Sequence, residues 1–251
     1  MINGVFFDLF GTLLIYTDMQ KAWERWLQAL YEDFQEWRLD MPQKAFALMC
    51  DGFLAKAEPV IKNHNLTVYE KRIYSLGLEL GLQLEIEDIR KMVNNTINTW
   101  QKFVPLDPDT IPVLKTLKKS KNLALITNFD HPPYIYSLLS DMKLINFFES
   151  IIISSEVGVK KPDPTIFSFV LKEINLKADE ICYVGDTRED MEAAIKAGMY
   201  PILIQRNPSS ENESLDDYYV KKSPYLQNGA EIDFKSVKKI MSLKELINLV
   251  N

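Results

Sequence analysis

Ile2-Asn3-Gly4-Val5-Phe6-Phe7-Asp8-Leu9-Phe10-Gly11-Thr12 is an apolar run that stops on a carboxylate and passes straight into a glycine turn. Its length and its β-branched and aromatic residues predict a buried strand over residues 2–7. An acid at the end of such a strand is costly unless it is used or paired, and in an α/β sheet the C-terminal strand ends are where ligands sit. A second run, Ile181-Cys182-Tyr183-Val184, ends the same way, in Gly185-Asp186-Thr187-Arg188-Glu189-Asp190. Two acidic strand ends in one chain make a candidate Mg²⁺ site.

Residues 13–103 change character. Met19 to Phe34 and Lys44 to Ile61 space Trp, Leu, Phe and Met as helices do, with Trp23, Trp26, Leu27 and Leu30 on one apolar face. This stretch reads as a helical insert. Pro105, Pro108 and the acids Asp107 and Asp109 mark a return linker and a helix start. From there the pattern alternates: helix 109–119, strand 123–127, helix 132–142, strand 150–154, helix 164–174, strand 181–184, helix 189–197 closed by Gly198, and strand 200–205. Such alternation predicts an α/β protein with a Rossmann-like parallel sheet, formed by residues 1–12 and 104–251, and an inserted α-helical domain at 13–103. Residues 207–230 read as a long surface excursion. Residues 234–250 read as one amphipathic helix or a short strand and helix.

Composition narrows the partners. The chain has 251 residues, 47% hydrophobic and 25% charged, as a soluble globular protein does. A formal net charge of −6 gives no electrostatic reason to expect nucleic acid or an anionic membrane. Any phosphate site must therefore be locally basic. Cys50 and Cys182 lie far apart and frame no disulfide scaffold; Cys182 fits as a small core residue. No basic residues precede the first apolar run, so no signal peptide is expected, and no run approaches the ~20 residues that span a bilayer. The expectation is a cytoplasmic protein, a monomer or homodimer, acting on a small molecule.

In order along the chain, Asp8-Leu9-Phe10-Gly11-Thr12, Thr127-Asn128, Lys161-Pro162 and Gly185-Asp186 with Asp190 resemble the four motifs of the haloacid dehalogenase-like (HAD) hydrolase superfamily. The resemblance covers residues 1–12 and 104–206, and a helical cap inserted after the first motif is typical of one subgroup. It implies that Asp8 is a nucleophile, forming an aspartyl-phosphate and dividing one hard hydrolysis into two easier steps. It implies Asp8, the main-chain carbonyl of Phe10 and Asp186 as metal ligands, hard oxygens of the kind Mg²⁺ takes. Asp190, about one helical turn beyond Asp186, would ligate the ion or hold one of its waters. Thr127 and Asn128 would bind phosphate oxygens through a hydroxyl and backbone N–H groups. Lys161 would bind phosphate too, neutralising Asp8 and the phosphoryl charge. Lys160 is its neighbour, and the family's Lys-Pro pairing favours Lys161. The cap would close over the strand ends, exclude water and select the substrate.

One position departs from the pattern. Most HAD phosphatases resemble D-x-D-G-T, where the second Asp protonates the leaving oxygen and then activates water. Here that residue is Phe10, which can do neither, and such help is typically worth about 10²–10⁴-fold. A Mg²⁺-dependent phosphohydrolase with a substitute proton donor remains one reading. A 2-haloacid dehalogenase is a second, because those relatives carry an aromatic residue at this position. They resemble S-x-N-x-x-D at the fourth motif and use no metal, whereas this chain has an acid-rich run there, which would repel a carboxylate substrate. A non-catalytic member that binds a phosphorylated ligand is a third. His131, in Phe129-Asp130-His131-Pro132-Pro133 directly after the second motif, is the candidate substitute, since histidine moves protons near neutral pH.

Overall fold

The structure, a computed structural model, describes residues 1–61, 65–206 and 237–250. The chain forms two compact units, Met1–Ile15 with Leu106–Asn251, and Tyr16–Pro105.

The first unit is built on a parallel sheet. Its strands among the described residues are β1 (Gly4–Phe7), β2 (Asn122–Thr127), β3 (Ser150–Ile153), β4 (Ile181–Gly185), β5 (Tyr200–Ile204) and β6 (Lys238–Ile240). They lie in the order β3-β2-β1-β4-β5-β6, every neighbouring pair parallel. The chain moves one way from β1 to β2 and the other way from β1 to β4. The gap between β1 and β4 is therefore a topological switch point, where ligands of open α/β sheets bind. Register brings the two acidic strand ends level: Phe7 pairs with Val184, and the Asp8 amide donates to the Val184 carbonyl at 2.9 Å. Helices α5 (Thr110–Leu117), α6 (Pro132–Asp141), α7 (Ser154–Val157), α8 (Phe167–Glu173), α9 (Arg188–Ala197) and α10 (Glu245–Leu249) accompany the strands. Phe6, Ile126, Phe167, Tyr183 and Met191 meet in one buried cluster, and apolar burial of this kind is the main force holding the sheet and its helices together. Cys182 sits in that sheet, buried and free.

The second unit is helical: α1 (Met19–Glu36), α2 (Gln43–Met49), α3 (Val68–Glu79) and α4 (Ile86–Gln101), labels preceding α5 in chain order. Asp18 caps α1 by accepting from the Lys21 amide at 2.8 Å, satisfying one of the donors a helix start leaves open. Trp26 and Leu30 are buried, while Trp23 and Leu27 flank them half-buried. The Trp26 indole donates to the Tyr69 hydroxyl at 2.6 Å, and that hydroxyl meets Thr96 at 2.9 Å, tying α1, α3 and α4 together in the interior.

Three expectations need adjustment. The helical spacing over 44–61 yields only α2: Cys50 ends it and Gly52 adopts φ +66°, a conformation that no helix continues through. The segment 164–174 begins as a 3₁₀ turn at Pro164–Ile166 before α8, with Asp163 capping the Thr165 amide at 2.9 Å. The helical unit starts at Tyr16 and ends at Pro105, not 13 and 103. Leu14 bridges to Leu106, and the Leu13 carbonyl accepts from the Asp107 amide at 3.0 Å and the Thr110 hydroxyl at 2.8 Å, so those residues belong to the first unit. The tail takes the strand-and-helix alternative as β6 and α10. The excursion at 207–230 lies outside the described residues.

Candidate active site

Lys161, 3% exposed, is the hub of the site. Its ammonium lies 2.6 Å from Asp8 Oδ1, 2.7 Å from Asp190 Oδ1, 2.8 Å from the Tyr183 hydroxyl and 3.1 Å from the Ile126 carbonyl. Lys160 is exposed, which fits the choice of Lys161 over its neighbour. Burial alone would push the ammonium's pKa down, but Asp190 and Asp8 outweigh it and hold it above the ordinary value. Burial pushes Asp8 up to about 7; Lys161 opposes the shift and Asp190 adds to it. Asp8 therefore needs nearby positive charge to be ionised at neutral pH.

Asp186 closes the set. Asp8, Asp186 and Asp190 each offer an oxygen within 4.8 Å of the others. Burial raises Asp186 well above the carboxylate range, and the charges of Asp8 and Asp190 raise it further. Three carboxylates against one ammonium leave a formal excess of two negative charges when all are ionised (three minus one), the charge a divalent cation brings. The backbone makes room for these acids. A Cβ on Gly11, at φ +82°, would lie 1.9 Å from Asp186 Oδ2, and one on Gly185 would lie 2.4 Å from Asp190. The donor set and its charge thus fit a hard divalent ion.

Asp190 already does other work. Its Oδ1 accepts from Lys161, and the Tyr183 hydroxyl oxygen lies 3.2 Å from it. Its Oδ2 accepts from the Thr187 hydroxyl at 2.7 Å and the Thr187 amide at 3.1 Å, completing the capping box that starts α9. These contacts suit Asp190 to fixing Lys161 more than to offering lone pairs.

Thr127, 1% exposed, ends β2. The Asn128 side chain turns to the backbone of Lys161, donating to its carbonyl and accepting from its amide, both at 3.0 Å. Its amide group thereby holds the lysine backbone rather than pointing to a ligand. His131 is buried at the N-cap of α6, four residues beyond Thr127. Phe10 is half-buried, its ring stacked on Phe129 at 5.2 Å.

Two features escape a reading of motifs. Tyr183 lies in the middle of an apolar strand, yet its hydroxyl accepts from Lys161 and reaches the Ile126 carbonyl at 3.0 Å. Arg206, just after β5, donates to the Gly11 carbonyl at 2.6 Å and the Thr12 carbonyl at 2.7 Å. Its guanidinium also clasps Asp107 Oδ2, at 3.0 Å from Nε and 2.5 Å from Nη2. The turn after Asp8 is pinned from a distant strand.

A sequence model of the haloacid dehalogenase-like hydrolase family matches residues 2–198. The chain belongs to that family. Among relatives of this HAD hydrolase, a phosphoglycolate phosphatase of Pseudomonas syringae pv. tomato is 32% identical over 155 residues, 58% of this chain and 57% of that protein. The chain spans only 36–57% of the length of the first curated relatives it matches. A 2-haloacid dehalogenase from Pseudomonas syringae pv. tomato superposes with a TM-score of 0.68 at 21% identity, covering 100% of this chain and 98% of that one. A HAD hydrolase from Bacillus subtilis, solved bound to magnesium, gives 0.62 at 20% identity, covering 100% and 99%. These likenesses establish the fold and leave the reaction to the site.

Proposed function

We propose that this HAD hydrolase is a Mg²⁺-dependent phosphohydrolase that cleaves a small phosphorylated metabolite through an aspartyl-phosphate on Asp8. The observation that carries the reading is the buried ion cluster, in which Lys161 lies between Asp8 and Asp190 beside Asp186. Asp8, the Phe10 carbonyl and Asp186 would hold the cation, with Asp190 in support. When bound, the ion supplies positive charge that draws Asp8 into its ionised form and screens it from the phosphoryl oxygens.

In this reading an Asp8 oxygen attacks phosphorus while Thr127 and backbone N–H groups at Thr127 and Asn128 hold the phosphoryl oxygens. Lys161 offsets charge that develops on them, which preorganised donors do at little reorganisation cost. The P–O bond to the alcohol breaks, its electron pair leaves on oxygen, and His131 supplies the proton in place of residue 10. Water then attacks the aspartyl-phosphate, the Asp8–P bond breaks, and His131 takes the proton back. The helical unit is assigned to substrate selection.

Phe10 lends the dehalogenase reading its one argument, since halide needs no acid. The carboxylate cluster argues against it, because a metal-free pocket with this charge would repel a haloacid. One assay separates the two: phosphate release from phosphomonoesters and acyl phosphates, with Mg²⁺ or EDTA. Release abolished by EDTA and absent in Asp8→Asn is expected, together with a fall of about 10²-fold or more in kcat for His131→Ala at nearly constant KM. Halide release from 2-haloacids in EDTA would replace this reading with the other, and unchanged turnover would remove His131 from it.

A further inference from the structure

The loop that follows Asp8 is held by groups far away in the sequence. The Leu13 carbonyl accepts from the Asp107 amide and the Thr110 hydroxyl. The Gly11 and Thr12 carbonyls both go to one side chain, Arg206, at 2.6 Å from Nη1 and 2.7 Å from Nη2. The same guanidinium donates to Asp107 Oδ2 from Nε and Nη2. Asp107 is itself fixed: it is buried, and its Oδ1 accepts from the Asp109 amide at 2.8 Å. Two consecutive peptide units are thus clamped by a planar fork, a geometry that arginine offers and lysine does not. What these units carry faces the acids. Phe10, directly before them, brings the carbonyl assigned to the cation. Thr12 is fully buried, and its hydroxyl donates to Asp186 Oδ1 at 3.4 Å. The Gly11 Cα lies so close to the same carboxylate that a Cβ there would collide with it.

We propose that Arg206 is a positioning residue for the cation site, holding the Phe10 carbonyl and the Thr12 hydroxyl in place against Asp8 and Asp186 before the ion arrives. The inference rests on the Mg²⁺-dependent phosphohydrolase reading and adds to it a residue outside the four motifs. Groups that orient metal ligands from behind typically alter metal affinity by about 10–100-fold when removed. Charge alone argues the other way. Arg206 is a cation near an acidic site, so deleting it would draw a second cation in more strongly. Action by charge and action by geometry therefore differ in the sign of their effect on Mg²⁺ affinity. A residue needed only for stability would leave that affinity alone.

The test titrates Mg²⁺ calorimetrically into the metal-free full chain for the wild-type protein, Arg206→Met, Arg206→Lys and Lys244→Met. The last removes a surface ion pair with Asp109, 2.7 Å long, and leaves the loop after Asp8 untouched. Arg206→Met should weaken Mg²⁺ binding about tenfold or more. Arg206→Lys, which keeps the charge but not the fork, should weaken it about threefold or more. Lys244→Met should bind as the wild-type protein does. With acetyl phosphate at saturating Mg²⁺, Arg206→Met should lower kcat about tenfold at nearly constant KM. Arg206→Lys keeps Asp107 paired and carries the test alone if Arg206→Met is unfolded in a melting scan. Affinity unchanged or tightened in the Arg206 variants, or weakened equally in Lys244→Met, would overturn this inference and leave the phosphohydrolase reading standing. A wild-type protein that binds no Mg²⁺ would overturn both.

Discussion

The Lys161 ammonium has three protons and four oxygens within 3.1 Å. The arrangement resolves if it donates to Asp8, Asp190 and Tyr183 while the Tyr183 hydroxyl donates onward to the Ile126 carbonyl. Tyr183 then serves as a positioning residue, giving the lysine an oxygen to face without a third negative charge. Lys161→Met should be severe, because it leaves Asp8 and Asp190 buried without their counter-charge, a change that typically costs about 3–5 kcal/mol. Tyr183→Phe should be mild in the fold, about 1 kcal/mol, because the freed lysine proton can turn to Ile126. Its kcat should nonetheless fall about tenfold with KM little changed, as expected when only the alignment of a transition-state group is lost. Melting temperatures and steady-state kinetics on the two variants check both statements. Equal kinetic losses in the two would remove the distinction drawn here.

At the scale of elements, the loop after β1 and the start of α9 are made to fit each other. Gly11 at φ +82° bends the chain after Asp8 and leaves the space Asp186 fills. Arg206 fixes the Gly11 and Thr12 carbonyls, and the Thr187 capping box fixes Asp190. Gly11→Ala should displace the Asp186 carboxylate and weaken Mg²⁺ binding at least tenfold by calorimetric titration, while the positive φ itself costs about 1 kcal/mol of stability. Unaltered Mg²⁺ affinity would show that Asp186 is not a ligand. Much of this level was legible in the sequence. An apolar run ending on Asp8, and another ending on Asp186, state both the strand and its unusual terminus. Alternation of runs predicts the parallel sheet. The clasp of Arg206 on Asp107 and Gly11 was not legible, since it joins residues 99 and 195 positions apart without any periodic signal. The turn of Asn128 onto Lys161 was hidden for the same reason. The short span of α2 was misjudged because apolar spacing continues past Gly52, where the backbone does not.

At the scale of the whole molecule, the excess of acid at the site couples stability to pH and to metal. Asp8 has a folded-state pKa of about 7, above its ordinary value, and Asp186 shifts the same way. The folded protein thus binds more protons than the unfolded chain between about pH 4 and pH 7. Its metal-free stability carries a contribution that is complete below pH 4 and is lost as pH rises through 7. Mg²⁺ must displace those protons, so its stabilising effect should grow over the same interval. Thermal melts with EDTA and with Mg²⁺ should show a shift that is small at pH 5 and several degrees at pH 8. A shift equal at both pH values would contradict the assignment. Among the described residues no helix is long and apolar enough to cross a membrane.

The central claim is that Asp8 carries the phosphoryl group. Rapid mixing of the Mg²⁺-loaded enzyme with a turning-over phosphoester, followed by an acid quench and peptide mass mapping, tests it most directly. The account predicts one phosphoryl group on the peptide that contains Asp8, absent in EDTA and in Asp8→Asn. Phosphate release with no phosphorylated protein in the quench, or with the group on His131 instead, would contradict it.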